Sequence, residues 1–328
     1  MNRSRQHCRV ATITLVLLLL VSAGFVGAAT PKATRAQSPN IVYLPWVANN
    51  DTIGGTGPWY SDLAFQNLAN YSCALSVFVG RDGTWANIAQ LSLTPGSFRS
   101  VSSSSLAVPT PGAPMRFEAS CPIVTSVKLY TPRIDRSPWS DGAQMISGYT
   151  GLGAIDVAAA RSTATSSWIL PIVQTNTGWN TYITVANLAS TGAADVSVEL
   201  FPSGNTDGAA GVAATVQQQI PTGQTWTFDA LSLIQQEGWV GFARITSSQL
   251  TGVIARRIKP AAMMSLTNVG MAVDATAPPI GNRSLAPLLF NAYNGWNTGI
   301  NIANPTDSPA TVTLQYFVAN GGLLREDS

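Results

Sequence analysis

One phrase occurs three times in this chain, and its spacing constrains the fold more than any other feature. It reads Trp59-Tyr-Ser-Asp-Leu-Ala-Phe-Gln-Asn67, then Trp179-Asn-Thr-Tyr-Ile-Thr-Val-Ala-Asn187, then Trp296-Asn-Thr-Gly-Ile-Asn-Ile-Ala-Asn304. A short apolar-proline phrase precedes each copy: Tyr43-Leu44-Pro45, Ile169-Leu170-Pro171 and Leu285-Ala286-Pro287. The tryptophans lie 120 and 117 residues apart. That is the length of a domain, not of a solenoid unit. A chain built this way is a row of related domains, each closing its own core.

Parity along each copy gives the type of element. Thr181, Ile183 and Val185 share one face, and Tyr182, Thr184 and Ala186 share the other. Leu63 and Phe65 match the first face in copy one, and Ile300 and Ile302 match it in copy three. A period of two with one apolar side predicts a half-buried strand. The next run alternates in the same way: Leu75, Val77 and Val79, then Val196, Val198 and Leu200, then Val312, Leu314 and Tyr316. A polar turn separates the two runs, which predicts an antiparallel hairpin. Further runs around Phe117, Val127, Phe242 and Val253 bring each copy to about seven short strands, the size of an immunoglobulin-like sandwich. Helix is confined to one short stretch after Phe228, with Asp229 as its cap. The expected fold is all-β, with tandem antiparallel β-sandwiches over residues 41–160 and 166–278. Residues 283–328 form a truncated third copy that would leave an open strand edge.

The first 36 residues read as a signal peptide. Arg3, Arg5 and Arg9 precede an apolar run and a small-residue exit, the pattern of export. An uncleaved membrane anchor is the alternative, so any membrane contact is expected only through this segment. Its removal changes the chemistry of what remains. The single histidine, His7, is lost, and so is Cys8. The rest holds 13 basic and 16 acidic residues, a net charge of −3. A nucleic-acid partner is therefore not expected. Cys73 and Cys121 remain in an oxidising compartment, where two cysteines pair.

Without histidine no Ser-His-Asp or Cys-His arrangement can form, and zinc has no imidazole ligand. The carboxylates of copy one have no firm counterparts in copy two. Asp156 and Asp274 recur, but no acidic loop accompanies them, so turn residues are expected there rather than calcium ligands. No metal, cofactor or catalytic residue is expected. Trp59, Trp179 and Trp296 share the inward parity and are expected in the core. Asn67, Asn187 and Asn304 end the same strand and are expected to lock it to neighbouring backbone. Tyr60, Tyr182 and Tyr293 fall on outward positions and are the candidate ligand contacts.

The leader, the Leu-Pro openings and the Gly-Trp-Asn-Thr starts at Gly178 and Gly295 resemble secreted bacterial surface proteins made of tandem immunoglobulin-like sandwiches. The first copy departs from that pattern with Pro58-Trp-Tyr-Ser. The resemblance implies a non-catalytic structural or adhesive role at the cell surface, with a surface protein or polysaccharide as partner. A carbohydrate-binding array is the alternative reading.

Overall fold

The structure is a computed structural model. It describes residues 40–132, 145–153, 161–162, 165–203, 211–273, 300, 302–304, 310–318 and 321–327, all within one compact unit, Pro39–Ser328. Residues 1–36, expected as a signal peptide, and Asp156, Asp274, Tyr293 and Trp296 lie outside the described residues.

Eight strands make up the first half: β1 (Asn40–Ile53), β2 (Thr56–Asn67), β3 (Cys73–Arg81), β4 (Thr84–Leu93), β5 (Phe98–Ser102), β6 (Gly112–Ala119), β7 (Ile123–Tyr130) and β8 (Ile146–Thr150). In the second half, β9 (Arg161–Ser162), β10 (Thr165–Gln174), β11 (Asn180–Asn187), β12 (Ala194–Pro202), β13 (Ala214–Ile220) and β14 (Thr225–Asp229) precede the helix α1 (Ala230–Ile234). Then follow β15 (Val240–Ser247), β16 (Thr251–Lys259), β17 (Met264–Val269) and β18 (Met271–Ala272). Near the end stand β19 (Leu314–Phe317) and β20 (Leu323–Asp327). Asp229 caps α1 by accepting from the Leu231 and Ser232 amides.

Every strand pair is antiparallel, and the architecture is all-β and sandwich-like. The first half runs β4-β3-β6-β1 on one side and β5-β2-β7-β8 on the other, with β1 reaching from one to the other. The second half runs β13-β12-β15-β10 and β14-β11-β16-β17. These four-strand orders correspond, while β9 and β18 also pair with β10 in the second half. Inward side chains from both sheets meet in each half. In the first, the Phe65 and Phe117 rings lie edge to face at 5.0 Å. Leu44, Leu63, Leu75 and Leu129 are fully enclosed around them.

The Leu-Pro phrase has a mechanical role. The β1–β6 ladder shifts register between Leu44 and Val47, and the β10–β15 ladder shifts between Leu170 and Val173. Proline has no amide proton for a ladder, so it falls where a bulge removes the need for one. Pro45 and Pro171 occupy these two bulges.

Copy three gives a different picture. The strand expected through Ile300 and Ile302 is absent at the described positions, and both residues are exposed. Leu323–Asp327, which alternation did not mark as a strand, is β20 and pairs with β19. Phe317 and Leu324 stay 57% and 70% exposed. A two-stranded ribbon has no second layer to cover its apolar side chains.

Candidate functional site

The first two recurring asparagines hold the strand ends. Asn67 is fully buried. Its Nδ2 donates to the carbonyls of Tyr71 (2.8 Å), Leu93 (3.2 Å) and Thr94 (3.2 Å). Its Oδ1 accepts from the Ala69 amide at 2.8 Å. Asn187 is equally buried and repeats the pattern, donating to Gly192 and Ile220 at 2.9 Å each and accepting from Ala189 at 3.0 Å. A buried amide costs stability unless both ends are satisfied, and here both are. The side chain ties the end of β2 or β11 to the next turn and to the end of β4 or β13. Asn304 is exposed and lies outside any strand.

The recurring tryptophans do not behave alike. Trp59 is 1% exposed in the first core, with Nε1 donating to Thr56 Oγ1 at 3.0 Å. Trp179 was expected in the second core, but it lies one residue before β11 and is only half-buried. Thr177 and Gly178 have φ of 50° and 79°, so the chain turns through the left-handed region and strand parity does not extend back to the ring. Trp168 of β10 instead fills the second core, fully enclosed, with Nε1 donating to Thr251 Oγ1 at 3.2 Å. Cys73 and Cys121 form a disulfide between the start of β3 and the β6–β7 turn. Ladder register places Ala194 where Cys73 stands.

The two halves meet in a buried joint that strand alternation did not reveal. At its centre Arg256 Nη1 donates to Asp51 Oδ2 at 2.6 Å, with side-chain exposures of 3% and 9%. Trp46 Nε1 donates to the same oxygen at 3.3 Å, and its ring lies 5.7 Å from the guanidinium. The Tyr149 hydroxyl donates to the Trp46 carbonyl. Burial pushes that phenol well above its ordinary range, although Arg256 acts to lower it. Ile254 and Ile258, on the outward side of β16, are fully enclosed and join the first core. Trp85 Nε1 donates across the joint to the Ala189 carbonyl at 3.0 Å, and its ring meets Tyr43 edge-on at 6.3 Å. Gly80 has no room for a side chain, because a Cβ there would fall on the Gly223 carbonyl. Ser147 Oγ and Thr267 Oγ1 bond at 2.8 Å between β8 and β17.

Tyr182, a candidate ligand contact, belongs to this joint. Its ring packs on the first core and against Gly54, and its hydroxyl accepts from Asn180 Nδ2 at 3.1 Å. The outward parity of Tyr182 is as read, but the first half covers that side. Tyr60 remains on an open face. Its hydroxyl donates to Asn50 Oδ1 at 3.3 Å, and its ring lies 6.2 Å from that of Tyr130. Among the described residues no three His, Cys, Asp or Glu side chains converge as metal ligands would.

No family model matches the chain, and no curated protein does. Among solved structures, the crystal structure of PBSX exported protein XepA aligns over 66% of this chain and 85% of its own, at 10% identity and a TM-score of 0.20. A likeness at that score assigns neither fold nor function, so the chain is described by its own geometry.

Proposed function

We propose that this is an exported, non-catalytic structural or adhesive protein, in which tandem copies of one immunoglobulin-like design form a stiff two-domain unit. Residues 1–36 direct export and are removed. Residues 41–160 and 166–278 are the two complete copies, and residues 283–328 belong to a third. One observation carries the reading. Asn67 and Asn187 satisfy backbone groups, and the second copy's outward side chains, Tyr182 and Arg256 among them, hold it against the first. Isolated domains strung on a linker would leave those side chains in water. A carbohydrate array that reused the tyrosine of every copy would meet Tyr182 half-buried against the first copy.

Small-angle scattering and NMR relaxation on residues 37–328 test the proposal. One tumbling body for residues 40–273 is expected, with no turnover of glycoside, ester or peptide substrates. Independent tumbling of the halves overturns the stiff unit. Turnover by the purified chain overturns the non-catalytic reading.

A further inference from the structure

One end of the core is closed in the first half and left polar in the second. In the first, the Ala48 amide donates to Ser61 Oγ, 13 residues on; in the second, the matching Gln174 amide donates to Thr181 Oγ1, 7 residues on. The longer connection brings Ile53 and Trp59 into the first core, where Leu129 is fully enclosed. The shorter one leaves Trp179 half-buried and Thr177 and Gly178 exposed. Ladder register sets Lys128, Leu129 and Tyr130 of β7 in the places of Arg256, Arg257 and Ile258 of β16. Arg257 therefore stands where Leu129 closes the first core. Lys259 follows on the same side of β16, and its Cε lies 3.8 Å from where a Cβ on Gly178 would stand. Same-side neighbours on a strand are about 7 Å apart, so two cations stand next to each other beside this short turn.

We infer that this end of the second half binds a carboxylate, taken by Arg257 and Lys259 beside Trp179. Arg116, Arg244 and Arg256 are also partly or fully buried, and each faces a carboxylate. Arg257 is half-buried and faces none. Its Nη2 donates to a neutral acceptor, Asn268 Oδ1, at 3.1 Å, and its Nε is enclosed without any acceptor. Burial pushes the guanidinium below its ordinary range, and no acidic group offsets that. Among the described residues Lys259 makes no ion pair either. Glu237 lies on the neighbouring turn after α1, where the Gln236 carbonyl accepts from Thr175 Oγ1, but it is exposed and pairs with neither cation. A cation drawn partly out of water without a counter-charge gains more from an anion than a solvated one does.

The charges select the ligand class. Two cations without a longer basic track suit one small anion and not a phosphodiester chain. A carboxylate can accept from a guanidinium and an ammonium at once. The half-buried Trp179 offers a rigid ring on which the carbon skeleton behind the carboxylate can rest. Arg257 and Lys259 are on the inward side of β16, the side away from the joint. The inference therefore goes beyond the structural role and does not depend on the stiffness of the joint.

NMR titration of residues 37–328 with sodium acetate and sodium glucuronate, at constant ionic strength, tests it through the Arg257 Nε–H and Trp179 Nε1–H signals. Saturable shifts of both signals are expected with glucuronate, and none with glucose. Equal affinity for acetate supports a site for the carboxylate alone, and tighter binding of glucuronate supports a sugar acid. Arg257→Leu installs the side chain that the first half carries at this place, so the variant should fold, and it should weaken binding about tenfold, followed on the Trp179 signal. Lys259→Gln should weaken it about threefold. Arg99→Gln, at an exposed arginine of the first half, should leave it unchanged. The absence of a saturable shift with either carboxylate overturns the inference, as does an equal response to glucose or unchanged affinity in folded Arg257→Leu. None of these results bears on the scattering test of the stiff unit.

Discussion

Strands β7 and β16 occupy the same place in the two halves and face different surroundings. β7 alternates: Thr125, Val127 and Leu129 turn inward, while Val124, Ser126 and Lys128 meet solvent. β16 is buried on both sides from Thr251 to Arg256. Val253 and Ala255 face its own core, and Ile254, Arg256 and Ile258 face the first half. One strand has a single packed layer behind it, and the other lies between two. A sheet covered on both faces reads as a near-continuous apolar run, and Gly252-Val-Ile-Ala approaches that. The comparison teaches that strands in matching places keep their inward residues apolar, while their outward residues follow whatever lies outside.

Substitutions at matched positions should separate the two strands. The largest effect is expected at the buried ion pair. Asp51→Ala leaves Arg256 charged and enclosed, at a cost of about 3–5 kcal/mol, whereas Lys128→Ala at the matching position of β7 should change stability by about 0.5 kcal/mol or less. Urea unfolding of both variants measures this, and equal effects would break the comparison. Ile258→Ala should cost about 2–5 kcal/mol as a core truncation. Its counterpart Tyr130→Ala, on the open face, should cost about 1 kcal/mol or less. Equal losses there would mean that β7 also lies under a second layer.

Smaller effects probe what the halves share. Asn67→Ala and Asn187→Ala should each destabilise by about 2 kcal/mol, because truncation leaves buried carbonyls without donors. Similar values would show that the lock belongs to the design and not to its surroundings. The last effect depends on pH. The Tyr149 phenol is held above its ordinary range in the folded chain, so folding favours the neutral form. Its contribution is complete below about pH 10 and is lost as the pH rises toward the folded value. Urea midpoints at about pH 8 and pH 11 should fall further for the native chain than for Tyr149→Phe.

Much of each half was legible in local sequence. Alternation in Leu63 and Phe65, and in Val196 and Val198, marks strands, because the pleat sends successive side chains to opposite faces. The Asn67 and Asn187 locks follow from a residue that bonds nearby backbone where a strand ends. Trp179 was misplaced because parity was carried back through a turn with positive φ, and Gly178 was the available signal. Trp168 was missed because its strand precedes the repeated phrase. Of the candidate ligand contacts, Tyr60 and Tyr182 are both half-buried, Tyr60 beside Tyr130 and Tyr182 against the first core.

From sequence alone come the recurring phrase, the strand character, the pairing of Cys73 with Cys121, and the confinement of histidine to position 7. These depend on residue type and short-range spacing, which backbone geometry translates directly. Tertiary structure alone decided which outward faces are covered. Asp51 and Arg256 are 205 residues apart in the chain, and no local period records that they meet. Their encounter turns one outward face into a joint, while on its counterpart Ser126 and Lys128 meet solvent.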